Sequence, residues 1–285
     1  MERQKIQDWW AENPMTYGTA HGRADYVEGS LEFGSREFFD RLDREFYSWN
    51  KPLHGERPFD RLVPYSQYRT GARVLEVGCG LGTMAMLWAQ NGAGVTAVDL
   101  NGTSIAQTQR RFTLHGLSGD IRLMDAGRLD FPGESFDYAY SWGVLHHSPD
   151  LEQSLAEMMR VLKTGGGFGL MLYNRRSLLH WYRTRYLEGF LHYENHFLNP
   201  LELASRYADG DRAEGNPHTW PVTEKEIRAM LARYSQDLAV RMLGTELDTI
   251  FKYLLPGLGL LLPAWAKKPW ARRFGWSLWI TGHKA

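Results

Sequence analysis

From residue 72 onward, short apolar runs alternate with longer runs of helical character, and this rhythm limits the fold more than any other feature of the chain. "ARVLEV" reads as a strand and "LGTMAMLWAQNG" as a helix closed by Gly92. "GVTAVD" is a second strand, and "TSIAQTQRRFTLHG" a helix closed by Gly116. "DIRLMD" and "FDYAYSW" are two more strands, and "DLEQSLAEMMRVLKTGG" is a helix with a glycine stop, followed by the strand "GFGLMLYN". This βαβα order predicts an α/β fold with a doubly wound, mostly parallel sheet covered by helices on both faces. After Asn174 the pattern is interrupted. "RRSLLHWYRTRYLEGFLHYENHFLNPLELASRY" looks helical, "ADGDRAEGNPHTWP" is a polar turn region, and "TEKEIRAMLARY" is a helix with a Thr223–Glu226 capping pattern. "DLAVRML" and "GWSLWITGHKA" read as closing strands.

Residues 1 to about 70 lack strand alternation, and "SREFFDRLDREFYSWN" carries Phe38, Phe39, Leu42, Phe46 and Tyr47 at helical spacing behind Ser35 as a cap. The expected organisation is an N-terminal helical lid segment over 1–70 and one domain over 71–285, with helical insertions at about 175–222 and 244–272. Both insertions follow strands, so they are expected over the sheet edge where ligands bind in such folds. Lys+Arg 33 balances Asp+Glu 33, so no global field favours nucleic acid. The single Cys79 excludes an internal disulfide framework and suits a reducing cytoplasm, the expected location. The N-terminus is too polar for a secretory signal. The most apolar run, Tyr253 to Ala266, is broken by Pro256 and Pro263 and is too short to span a bilayer.

"RVLEVGCGLGTMA" is a strand, a glycine loop and a helix start, a shape that cradles cofactors in more than one enzyme class. Gly78, Gly80 and Gly82 form G-x-G-x-G. A dinucleotide fingerprint needs its third glycine at 83, where Thr83 stands, and a phosphate loop needs a lysine that is missing. Glu76 sets a carboxylate beside the loop, which repels a pyrophosphate and attracts an ammonium group. Asp99 ends the next strand, 17 residues after Gly82, where a carboxylate can accept both ribose hydroxyls. Asp125 ends the third strand and is positioned for an exocyclic adenine amine. Each of these acids taken alone also reads as a helix or turn cap; together they outline a nucleoside with an amino-acid head.

On these residues, the stretch from about 72 to 174 resembles a class I S-adenosylmethionine-dependent methyltransferase. "VLEVGCGLGT" is similar to the family's first motif, "VTAVD" to its acidic ribose motif, and "MDAGRLDFPGESFDYAYSWGVLHHSPD" to its adenine segment and fourth strand. The small-molecule branch that includes quinone-biosynthesis methylases looks most similar. The resemblance implies a Rossmann-like, seven-stranded sheet with a final antiparallel strand, and S-adenosyl-L-methionine as cofactor. It implies that Glu76 and the backbone of Gly78, Gly80 and Gly82 hold the methionine end. Asp99 would then hold the ribose, Asp125 with Ala126 the adenine, and Leu100 and Met124 would give apolar contacts. Ser141 and Tyr17 join this set, Tyr17 as part of a lid or as a packed loop residue.

The expected activity is methyl transfer to a small apolar or aromatic acceptor, on oxygen or carbon, with an acidic group on the acceptor as one option. A sulfonium methyl is already activated, so a base is needed only where the acceptor must lose a proton. "SWGVLHHSPD" supplies His146, the preferred base, and His147, with a purely structural loop role open for either. Trp142 and Tyr173 are expected at the acceptor. Arg175 and Arg176 are read as partners for a carboxylate or phosphate, or as a solvated helix start. In "HYENH", His192 and His196 have helical ligand spacing but no third ligand, so no metal is expected. "AWAKKPWARRFGW" reads as a packed helix with a basic face, a membrane-surface contact or part of an acceptor lid. A nucleic-acid or protein methylase and a non-catalytic cofactor-binding module are the alternatives, and the oligomeric state is left open.

Overall fold

A computed structural model of the chain describes residues 2–16, 31–69, 71–209, 215–244 and 261–285. Its centre is a sheet of β1 (Arg73–Val77), β2 (Gly94–Asp99), β3 (Asp120–Leu123), β4 (Phe136–Trp142), β5 (Leu162–Tyr173), β6 (Ala239–Leu243) and β7 (Ser277–His283). The spatial order is β3-β2-β1-β4-β5-β7-β6. The first five strands pair in parallel, and β7 runs antiparallel to both β5 and β6. β1 and β2 are buried almost end to end because helices cover both faces. Their side chains alternate between two apolar layers. Val74, Val95, Ala97 and Tyr138 join Trp88 and Phe112 on one side. Leu75, Val77, Val98 and Ala139 join Met158, Ile227 and Leu231 on the other.

The helices are α1 (Glu2–Glu12), α2 (Arg36–Trp49), α3 (Thr83–Gln90), α4 (Gly102–Leu114), α5 (Leu151–Val161), α6 (Pro200–Ala208), α7 (Glu224–Leu231) and α8 (Ala264–Phe274). Short polar side chains start several of them. Ser35 accepts from the Phe38 amide before α2, Asn101 from Ser104 before α4, and Asp150 from Gln153 before α5. Thr223 and Glu226 form a reciprocal capping box on α7. A π-helical segment, His180–Leu191, precedes α6.

One expected element is corrected. The helix read through "VLKTGG" stops at Val161, and Leu162 already belongs to β5. The glycines begin the strand rather than capping the helix. The Gly165 amide donates to the Lys284 carbonyl, and the Gly166 carbonyl accepts from the Lys284 amide, so tertiary pairing with the C-terminus overrides the local stop signal. The second helical addition lies partly in 245–260, outside the described residues.

The chain builds β1 to β3 outward in one direction and then returns to lay β4 on the other side of β1. The crevice at such a reversal, beyond the carboxyl ends of the strands, is where ligands bind in open α/β sheets.

Candidate active site

A cavity of about 1190 Å³ occupies that crevice. Of the residues singled out in the sequence, Glu76, Gly78, Gly80, Asp99, Leu100, Met124, Asp125, Ala126, Trp142, His147 and Tyr173 line it. β1 delivers Glu76, whose side chain shares the face of Val74 and is 3% exposed. Its Oε2 has no hydrogen-bond partner. Burial, and then the negative charge of Asp99, push its carboxyl well above the ordinary range. The glycine loop follows. Gly78 and Gly80 have φ of +80° and +52°, and a Cβ at Gly78 would stand 2.3 Å from Val144. At Gly80 no atom lies within 4 Å of a built Cβ, so the backbone there faces open space.

Asp99 anchors this loop. Its Oδ2 accepts from the Gly80 amide at 2.9 Å and its Oδ1 from the Asn101 amide at 3.0 Å. Burial raises its carboxyl nonetheless. Asp125 accepts from the Gly127 amide at 2.7 Å through Oδ1 and pairs with Arg3 at 3.1 Å through Oδ2. The loop is braced from below by Arg111 of α4, which is fully buried. Arg111 pairs with Asp43 of α2 and donates to the Leu81 carbonyl at 3.1 Å and to Thr83 Oγ1 at 3.0 Å.

Five of the expected site residues do not line the cavity, and Tyr17 lies outside the described residues. Gly82 caps α3 with φ +79°, and a Cβ there would meet Thr108 at 2.8 Å. Ser141 points back into the sheet, its hydroxyl donating to the Val77 carbonyl at 2.9 Å. Arg175 pairs with Glu226 and lies over Trp220, and with Arg176 it borders a separate small pocket. His146 is 1% exposed, packs against the Tyr173 ring at 3.9 Å, and has no partner on either ring nitrogen. Burial and the neighbouring His147 and His218 hold its pKa well below the ordinary histidine value.

His147 reaches the wall instead. Its Nδ1 lies 2.9 Å from the His218 carbonyl and 2.9 Å from Thr219 Oγ1, and its Nε2 lies 3.2 Å from Asp209 Oδ2. The Tyr173 hydroxyl donates to Asp209 Oδ1 at 2.8 Å. Sequence reading missed Asp209, Arg3 and Trp10, all of which line the cavity. Each sits outside the periodic strand–helix core, so no local pattern marked it. Lys268 lines it too, from the tail read as a packed helix, a membrane contact or an acceptor lid.

Residues 74–166 match the methyltransferase domain family. A methyltransferase named GfsG from Streptomyces halstedii is 28% identical over 88% of this chain and 88% of its own length. A ubiquinone biosynthesis O-methyltransferase from Xanthomonas euvesicatoria is 32% identical, over 54% of this chain and 69% of its own. With several other curated relatives, the chain matches only about two fifths of their length. In three dimensions, geranyl diphosphate C-methyltransferase from Streptomyces coelicolor aligns over 100% of this chain and 98% of its own at a TM-score of 0.59 and 15% identity, a likeness of fold. The chain belongs to the class I S-adenosylmethionine-dependent methyltransferases. Its cofactor is S-adenosylmethionine. The partnerless, buried Oε2 of Glu76 on the cavity wall fits that molecule, because an ammonium group would satisfy it.

Proposed function

We propose that the chain methylates an oxygen or carbon atom of a small apolar or aromatic acceptor held in the same cavity as the cofactor. The observation that carries this reading is which strand ends supply the lining of that cavity. Glu76, Asp99 and Asp125 come from β1, β2 and the turn after β3, and Trp142, Met171, Tyr173 and Trp276 come from β4, β5 and the entry to β7, on the other side of β1 in the sheet order. The volume exceeds the ~300–1,000 Å³ usual for one small ligand, which supports room for two.

In this reading Glu76 accepts from the ammonium of the methionine end, with the backbone of Gly78 and Gly80 alongside. Asp99 takes the ribose hydroxyls, since each of its oxygens accepts one backbone amide and keeps a second lone pair. Asp125 and Ala126 face the adenine, and Arg3 ties α1 across that end. S-adenosylmethionine, when bound, supplies an activated sulfonium methyl. The protein then has to align the acceptor with that methyl and exclude water. Trp142 and Met171 form an apolar bed for the acceptor. Lys268 offers a cation to an acidic group on it, the part first expected of Arg175 and Arg176. An acceptor proton has the His147–Asp209 wall as its nearest outlet, since His146 stands behind the lining. Residues 1–70, 175–222 and 244–272 each contribute lining residues, which supports a composite lid. Trp265 and Trp270 are exposed on α8 beside Lys267 and Arg272, which supports contact with a membrane surface. Among the described residues, no helix is long and apolar enough to cross a membrane.

The test is formation of S-adenosylhomocysteine with a panel of apolar phenols, quinols, enolisable carbon acids and polar controls. Turnover confined to apolar acceptors, with KM raised by Trp142→Ala and cofactor affinity kept, is the expected result. Cofactor binding without turnover across the panel would overturn it in favour of a non-catalytic module.

A further inference from the structure

At the wall of the cavity, two histidines and a carboxylate converge. His146, His147 and Asp209 each offer a ligand atom, and the three atoms lie within 4.8 Å of one another. Two features set this cluster apart from an ordinary histidine–carboxylate contact.

The first is the tautomer of His147. Its Nδ1 faces the His218 carbonyl, which can only accept. The Thr219 hydroxyl on the same nitrogen gives its hydrogen to Asn216 Oδ1 at 2.7 Å. Nδ1 must therefore carry the proton, and in a neutral ring Nε2 presents a lone pair. Nε2 lies 3.2 Å from Asp209 Oδ2, another acceptor. Two acceptor atoms at this separation call for a cation shared between them. Metal-binding histidines are commonly fixed by a backbone carbonyl that accepts from their other ring nitrogen.

The second is His146. It is 1% exposed, and neither ring nitrogen has a partner. A buried imidazole with both nitrogens unsatisfied is expensive unless something fills the gap. Asp209 Oδ2 is likewise buried without a hydrogen bond, while Tyr173 steadies Oδ1.

We propose that His146, His147 and Asp209 bind a divalent first-row transition cation, zinc being the type, on the acceptor side of the cavity. Two imidazole nitrogens and one carboxylate oxygen suit such an ion better than magnesium or calcium, which prefer oxygen alone. Ligands bonded at ~2.1 Å in a tetrahedral arrangement stand ~3.4 Å apart, close to the separation of the His147–Asp209 pair. His146 offers its ligand atom within 4.8 Å of the other two and completes the set after a shift of about an ångström. His147 and Asp209 line the cavity and His146 stands behind them, so the remaining coordination positions face the ligand space. The class of ligand those positions would take is an acceptor oxygen, as hydroxyl, enolate or carboxylate. The site does not depend on which acceptor is methylated.

The test uses the full chain, stripped with a chelator, in a His192→Ala/His196→Ala background that removes two exposed histidines. Titration with Co²⁺ should give one equivalent bound, with a visible d–d spectrum, displaced by Zn²⁺. The Cu²⁺-loaded protein should show two imidazole nitrogens in its electron paramagnetic resonance spectrum, a readout that needs no change at the site. Asp209→Asn and His146→Phe should each weaken Co²⁺ binding at least 100-fold, with S-adenosylhomocysteine binding reporting that they fold. The proposal fails if the parent binds less than a stoichiometric ion, if the copper spectrum shows no or one imidazole, or if folded variants bind as the parent does. The shared cation would then be a proton.

Discussion

Glu76 is the residue whose environment is hardest to reconcile with a cofactor-free protein. It is buried, one of its oxygens has no partner, and the nearby Asp99 repels its charge. In the free protein its proton is therefore held to higher pH than on an exposed glutamate. The sign for stability follows. The contribution is full below the ordinary glutamate value and is lost as pH rises through the raised value in the folded state. An ammonium group reverses this by favouring the carboxylate, so cofactor affinity should rise with pH and binding should release a proton. Calorimetry near pH 6 in two buffers of different ionisation enthalpy measures that release. Glu76→Gln should abolish it and weaken binding by about 1.5–3 kcal/mol, the range for a hydrogen bond to a charged group. A buffer-independent enthalpy in the parent would remove Glu76 from the ammonium site.

Among elements, α2 and α4 hold the glycine loop through one buried contact. Arg111 joins Asp43, the Leu81 carbonyl and Thr83, and Thr83 Oγ1 in turn donates to Asp43 at 3.0 Å. Truncating one partner of a buried pair leaves an uncompensated charge. Arg111→Ala should cost about 3–5 kcal/mol in urea unfolding. The paired replacement Arg111→Met with Asp43→Leu leaves no lone charge, and it should recover most of that loss. If both proteins unfold at the same urea concentration, the packing of the arginine stem, rather than its charge, holds these helices together. The glycine positions in the loop divide by role on the same scale. Gly78 and Gly82 avoid clashes with Val144 and Thr108, whereas Gly80 keeps the ligand side open.

At the scale of the whole molecule, the cavity wall is assembled from α1, α2, the ends of six strands, the segment after α6 and α8. A ligand that touches so many distant segments stabilises the folded state as a unit. S-adenosylhomocysteine at about 100 times its Kd should add about 2.7 kcal/mol to folding. Differential scanning fluorimetry should then record an upward shift of several degrees, and NAD at the same concentration should give none. A shift with NAD alone would contradict the carboxylate beside the glycine loop as the selector of the cofactor.

What the chain order determined by itself was the periodic part. Short runs with β-branched and aromatic side chains between turn signals read as strands, and all seven were legible, as were the acids at the ends of β1, β2 and β3. Burial periodicity and turn chemistry are local, so they survive in a one-dimensional reading. The failures share one cause, which is that each was decided by contacts between segments far apart in the chain. The glycines after α5 read as a stop until Lys284 paired with them. Arg175 and Arg176 read equally as ligand partners or a solvated helix start, and only the fold pairs Arg175 with Glu226 and sets both at the second pocket. His146 and His147 are adjacent and alike in sequence. Only the turn Leu145–His147, with the His218 carbonyl and Asp209 brought against it, decides that His147 reaches the cavity wall and His146 packs under Tyr173. Asp209 stood in a polar stretch that reads as a plain turn. Its meaning is set by what the fold places 3 Å away, because a carboxylate's chemistry depends on its neighbours in space and not on those along the chain.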